Sequence, residues 1–488
     1  MREDLGAQNN KSEVFMLNFS DCKGCESVFR FFEEISAIPH GSHNTSAIAE
    51  YLCEFARQRG LWYTKDSADN VIIKKGATEG YESRPTVIIQ GHTDMVAEKL
   101  PTLDIDMEVS GLKLYRDGDF LRAEGTTLGG DDGVAVAYAL ALLDSDTIPH
   151  PAIEAVFTSD EEVGLLGAGA LDASLLSGKL MINIDSDEEG VFTVGCAGGA
   201  RCDLFLPTKQ GECSGEKYKL TVSGLLGGHS GVEINKGRAN AIKLAASLLF
   251  GSRICIADIT GGNADNAIPR ECTVYFSAAP GIEDIIAGHA ELIRKEYEST
   301  DPDISITVLR EDFDKPFVSE GTSTAILEMI SRTDSGVIDM SREIADLPES
   351  SQNIGIVRLE DGKFHMTVSV RSAKARAKSG MIQVLDRTAR KYDAEFSVRG
   401  EYPAWEYKPD SALREVACRV YSEMYGREAK VIIIHAGLEC GIFAGKIEGL
   451  DCISIGPDNF DIHTTEERLS ISSTVRVWEF LLNVLKQI

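Results

Sequence analysis

Residues Thr86–Asp94 read TVIIQGHTD, and this stretch decides the fold. Its first half is a short, bounded, apolar and β-branched run, which predicts a buried strand. It ends on His92 and Asp94, two positions apart and therefore on the same side of an extended backbone. The plan recurs along the chain. AIEAVFT (Ala152–Thr158) leads into Glu161 and Glu162 of SDEEVG, and LMINI (Leu180–Ile184) leads into Asp185. Near the C-terminus CISI (Cys452–Ile455) precedes the loop that carries His463 in DIHTTEE. Gly133–Leu143, rich in small apolar residues, reads as a helix directly after Asp131 of LGGDDG. Strands alternating with helices predict an α/β layer with a largely parallel or mixed sheet. Ligands gather beyond the carboxyl ends of the strands in such sheets, and that is where these His and acid residues fall.

The middle of the chain has another rhythm. Lys217–Val222, Glu271–Phe276, Ile304–Leu309, Phe364–Val370 and Glu395–Arg399 read as strands. Amphipathic helical stretches lie between them, at Ala239–Phe250, Ile282–Tyr297, Ser323–Ser331 and Met381–Tyr392. This βαβα-like pattern predicts an α+β insert over residues 200–402, flanked by the two parts of a catalytic layer at 1–199 and 403–488. Helices are expected at Ser27–Ile35 and Thr45–Arg59, after a loose arm of roughly 20 residues.

With 488 residues, more than one domain is expected. Acidic residues outnumber basic ones 77 to 49, a net charge of −28 that argues against a nucleic-acid partner. The N-terminus lacks a basic start followed by an apolar stretch, and no apolar run reaches the roughly 18 residues of a membrane span. A cytoplasmic protein without membrane partners is the expectation. Eleven cysteines scattered over a long chain do not suggest a disulfide framework, and Cys22 and Cys25 read as free thiols.

Taken singly, each polar position has a plain reading: Asp131 as a helix cap, Glu161–Glu162 as surface, His463 as a loop histidine. Together, two imidazoles and three carboxylates form the donor set for a pair of divalent ions with one carboxylate between them. Mixed nitrogen and oxygen ligands suit Zn²⁺, with Mn²⁺ or Co²⁺ as alternatives, better than Ca²⁺ or Mg²⁺. Such a pair can share a hydroxide and clamp a developing oxyanion. Glu161, beside the ligand Glu162, is then the candidate general base, and Asp94 the partner that orients the His92 ring.

GHTDMV, TTLGGDDG, SDEEVGLLGA, NIDSDEEG and IHTTEERLSI, in this order, resemble the co-catalytic zinc exopeptidases related to carnosinase and aminoacylase. VGCAGG (194–199), GGHSGVEI (227–234), NAIPRE (266–271), HAGLECGIF (435–443) and SIGP (454–457) point within that group to the aminoacyl-histidine dipeptidases. The resemblance implies a mixed-sheet zinc-exopeptidase domain interrupted by an α+β lid and dimerisation domain. It implies one metal on His92 and Asp185, a second on Glu162 and His463, Asp131 bridging, and a cis peptide after Asp131. It further implies His229 as the lid histidine that stabilises the oxyanion, with Asn266 and Arg371 holding the substrate carboxylate and Gly437 lining the pocket. A homodimer cleaving unblocked dipeptides, β-Ala-His among them, follows. An N-acyl amino acid amidohydrolase is the alternative, and a silent binding protein of the same fold a further one. Gly130 and Leu226 depart from the residues common at those positions.

Overall fold

The computed structural model describes residues 17–342, 344 and 346–488. The chain divides into two units. One comprises the N-terminal part up to Phe192 with Ser411–Lys430 and Gly449–Ile488; the other comprises Thr193–Asp410 and Val431–Glu448. Most of the expected N-terminal arm lies outside the described residues.

In the first unit, strands run in the order Trp62–Lys65, Val71–Lys75, Ile153–Thr158, Val87–His92, Leu180–Asn183 and Asp451–Ser454. The first two pairings are antiparallel and the next three parallel. Val87 aligns with both Ile153 and Leu180, and Leu180 with Asp451. The four strands that precede these His and acid residues therefore end along one edge. Helix Gly130–Asp144 packs on Val87–His92 and on helix Glu26–Ser36. Val134–Leu143 is buried on every side, which explains why its pattern is apolar all round rather than striped. Tyr138 of this helix stacks on Trp478 of the C-terminal helix Ile471–Gln487 and donates its hydroxyl to the Thr474 carbonyl.

The second unit is built on an antiparallel sheet. Its order is Ser305–Arg310, Glu216–Ser223, Cys272–Ala278, Ile254–Gly261, Pro348–Glu360, Lys363–Ser372, Gly198–Pro207 and Glu395–Tyr402, with Gly336–Met340 also paired to Pro348–Glu360. Helices Ala241–Leu249, Glu320–Arg332 and Ala375–Lys391 pack on it, the first two around a core that includes Leu220, Val274, Phe276 and Ile326. The helices recur between strands as the sequence suggests, but the strands pair antiparallel throughout. One disulfide, Cys213–Cys255, joins residues whose Cα atoms are 6.3 Å apart, a pairing the sequence does not single out. Cys22 and Cys25 are free and buried. Among the described residues no helix is long and apolar enough to cross a membrane.

Candidate functional site

In the first unit, His92 ends its strand almost fully buried. Its Nδ1 lies 2.9 Å from the Asp94 carbonyl oxygen, which leaves Nε2 to face the Asp131 Oδ1 at 3.0 Å. The other oxygen of Asp131 faces Nε2 of His463 at 3.2 Å, and Glu162 Oε1 lies 2.7 Å from the same nitrogen. One carboxylate thus stands between two imidazoles whose positions are 371 residues apart in the chain. The Asp131–Asp132 peptide is cis, as the resemblance implies.

Asp94 has a broader role than expected. Its carboxylate is 3.5 Å from the His92 ring, but accepts from the Glu161 amide at 2.9 Å and from the Ser42 hydroxyl at 2.8 Å. It therefore fixes the backbone of the Glu161–Glu162 turn as well as the imidazole. Asp132, absent from the expected set, falls with His92 and Asp185 in a group of donor atoms within 4.8 Å of one another. Its Oδ2 also accepts from the His92 amide at 3.1 Å. Asp131, Glu162 and His463 form a second such group, and His92, Glu161 and Glu162 a third.

Asp185 Oδ2 is buried and without a hydrogen-bond partner. A buried carboxylate oxygen left bare is costly unless a cation or proton meets it. Burial, reinforced by the charge of Asp132, pushes Asp185 well above the ordinary carboxylate range. The hydrogen bond to Asp131, then that to Glu162, raises His463 to about 10. Burial would depress His92, yet Asp131 and Asp94 raise it well above the histidine norm. Negative charge exceeds positive charge here, and protons are retained to offset it. This mixed imidazole and carboxylate set, with its orphaned acceptor, fits a pair of divalent cations.

The second unit holds His229, Asn266, Arg371 and Gly437. His229 and Gly228 pair with Ala267 and Ile268, and the Ser230 amide donates to the Asn266 carbonyl at 2.7 Å. His229 and Asn266 line a cavity of about 590 Å³. The amides of Gly231 and Val232 both approach Nδ1 of His229 at 3.2 Å, so Nδ1 is the acceptor and Nε2 carries the proton. Burial and then the charge of Arg371 lower its pKa, keeping the ring neutral.

Arg371 is 9 % exposed, and among the described residues no acid pairs with it. Its Nη1 donates to the Tyr402 hydroxyl at 2.9 Å, while Nε is buried without a partner. The Tyr402 ring explains two motif glycines. A Cβ on Gly199 would come within 2.4 Å of the Tyr402 oxygen, and one on Gly437 within 2.8 Å of the ring. His435, buried nearby in sequence from Gly437, lies 2.7 Å through Nε2 from the Ser351 hydroxyl. Burial, followed by the Arg371 charge, lowers it to about 4. Tyr402 and His435 went unassigned in the sequence; HAGLECG was the available signal for the latter.

A parallel-strand edge bearing imidazoles and carboxylates suits a metal-dependent hydrolase. The chain belongs to peptidase family M20/M25/M40, whose model matches residues 88–487. It is 32% identical over 473 residues to the cytosol non-specific dipeptidase of Escherichia coli (strain K12), covering 95% of this chain and 98% of that one. The crystal structure of aminoacylhistidine dipeptidase from Vibrio alginolyticus superposes with a TM-score of 0.88 at 32% identity, over 95% of this chain and 96% of that chain. A tripeptidase from Staphylococcus aureus shares the fold, with a TM-score of 0.55 at 19% identity over 97% and 99% of the two chains.

Proposed function

We propose that this peptidase is a two-metal dipeptidase acting on unblocked dipeptides, those ending in His included. The observation that carries the reading is the single Asp131 carboxylate, set 3.0 Å from one imidazole Nε2 and 3.2 Å from the other. His92 and Asp185 would hold one divalent ion, Glu162 and His463 the other, with Asp131 shared; Zn²⁺ is the ion the donor set suits first. Ions held there would supply Lewis-acid polarisation of the scissile carbonyl and acidify water. Glu161 takes the proton from the attacking water and delivers it to the leaving amine. Asp94 keeps that turn in place through the Glu161 amide. His229, neutral and protonated on Nε2, donates a hydrogen bond to the developing oxyanion. Arg371, a buried cation that no acid among the described residues pairs with, receives the substrate carboxylate, with Asn266 beside it in role and Gly437 lining the pocket. The names of the E. coli and Vibrio relatives support the dipeptide substrate, and the former supports a cytoplasmic location. Homodimerisation through the second unit completes the reading.

Zn²⁺-reconstituted protein is expected to cleave β-Ala-His, Gly-His and Ala-Ala, and Glu161→Ala to abolish cleavage while both metals stay bound. Turnover confined to N-acetyl-His would transfer the protein to the acylases. Silence towards every peptide with two metals bound would leave a binding protein.

A further inference from the structure

Glu467 lies four residues beyond His463, at the end of the loop that joins the short paired strands Asn459–Phe460 and Arg468–Ser470. Although charged, it is 3 % exposed. Among the described residues no side-chain cation pairs with its carboxylate. Oε2 accepts from the amides of Leu128 and Gly129 at 2.7 and 3.0 Å. Oε1 accepts from the amides of Gly130 and Asp131 at 2.9 and 3.4 Å, and from the Asn459 side chain at 3.3 Å. Four consecutive backbone donors thus converge on one side chain more than 300 residues away. A carboxylate has two oxygens and about four lone-pair sites, so it meets such a row where no neutral side chain does. The row opens helix Gly130–Asp144, whose first amides have no intrahelical partner.

The last donor is the amide of Asp131 itself, whose two oxygens face His92 and His463. The His463 loop is thereby planted on the turn that carries the shared carboxylate. We infer that Glu467 is a positioning residue of the metal centre: it clamps the Leu128–Asp131 turn to the His463 loop so that Asp131 meets both imidazoles at once. The inference rests on the two-metal reading above, and it assigns to EERLSI a part that the ligand histidine alone does not explain.

Glu467→Gln is nearly isosteric but turns an NH₂ group towards part of the amide row. Zinc competition with a chromogenic chelator should show the weaker-bound ion lost ~10–100-fold more readily. The visible spectrum of the Co²⁺-loaded variant should change, and kcat should fall with KM for Gly-His held within about twofold. Glu466→Gln, at the exposed neighbour, should match wild type in all three readouts. Wild-type protein that takes up fewer than two ions overturns the two-metal reading itself. Wild type with two ions beside an E467Q variant of unchanged affinity, spectrum and kcat overturns the clamp alone. If E467Q does not fold by circular dichroism, Asn459→Ala decides. A few-fold weaker retention with a shifted Co²⁺ spectrum supports the clamp, and wild-type behaviour overturns it.

Discussion

Four histidines divide evenly between two clusters, and their surroundings drive them in opposite directions. His92 and His463 sit among carboxylates and hold protons more tightly than a free imidazole. His229 and His435 sit in the second unit near Arg371 and hold them less tightly. Carboxylates dominate around the first pair, whereas burial and the Arg371 charge outweigh the nearby Glu233 carboxylate around the second. On the proposed reading, the same side chain would ligate a cation in one place and donate a hydrogen bond as a neutral ring in the other. A dipeptide presents complementary demands, since its carbonyl needs a Lewis acid and its terminal carboxylate a cation.

The sharpest way to break this contrast is to remove the base from the acidic cluster without disturbing its ligands. Glu161→Gln should lower kcat by ~10³-fold, about 4 kcal/mol in the barrier, with two ions per chain still measured by metal analysis. Loss of the ions together with activity would show that Glu161 is a ligand. At the cationic cluster, Arg371→Ala should instead raise KM by ~10²-fold, about 3 kcal/mol, and spare kcat and metal content. Dipeptide amides, which lack the terminal charge, should discriminate little between variant and wild type. A kcat effect without a KM effect would remove Arg371 from substrate binding.

The histidines give a third, smaller test. His435 titrates near 4 when folded and near the ordinary 6.5 when unfolded. Between those values the unfolded chain binds the extra proton, so the stability contributed by the neutral ring is complete above 6.5 and falls as pH drops towards 4. Relative to His435→Gln, the wild-type unfolding free energy should decline by about 2 kcal/mol between pH 7.5 and 5. Arg371, the Pro348 carbonyl and His229 act on this ring, and the Ser351 hydroxyl lies against its Nε2. A difference independent of pH would mean the ring is already charged or accessible in the folded state.

The two clusters were not equally legible in the sequence. In the acidic one, each strand is a plain apolar run and the candidate ligand follows at its end, so strand and proposed chemistry are read together at His92, Glu162 and Asp185. Asp132 and Glu467 escaped because adjacent acids look like a cap and a surface pair until the turn they serve is folded. In the cationic cluster, the features that build the site hide the strands. Pro348–Glu360, which begins PESSQN, is not among the expected strands, yet Ser350 meets Ser372, Ser351 meets His435 and Asn353 donates to the Ala267 carbonyl. Gly198–Pro207 opens on two glycines that weaken a strand signal, and Gly199 is there to admit Tyr402. Local preference gives way where the site requires it. The Arg371–Tyr402 and Ser351–His435 contacts span 31 and 84 residues, beyond any local pattern.

Tyr402 offers the finest test of how the cationic cluster works. Its ring is seated against Gly199 and Gly437, and its hydroxyl accepts one of the Arg371 N–H groups. Tyr402→Phe keeps the ring and removes only that acceptor, so the guanidinium loses a partner but not its packing. A single hydrogen bond to a charged group in this setting is worth about 1 kcal/mol, and KM should rise a few-fold with kcat and metal content unchanged. Gly199→Ala attacks the same contact from the other side, by displacing the ring, and should add little when combined with Tyr402→Phe if both act through Arg371. Additive effects would place Gly199 in a separate role, and an unchanged KM in Tyr402→Phe would show that Arg371 is held by its packing rather than by the phenol.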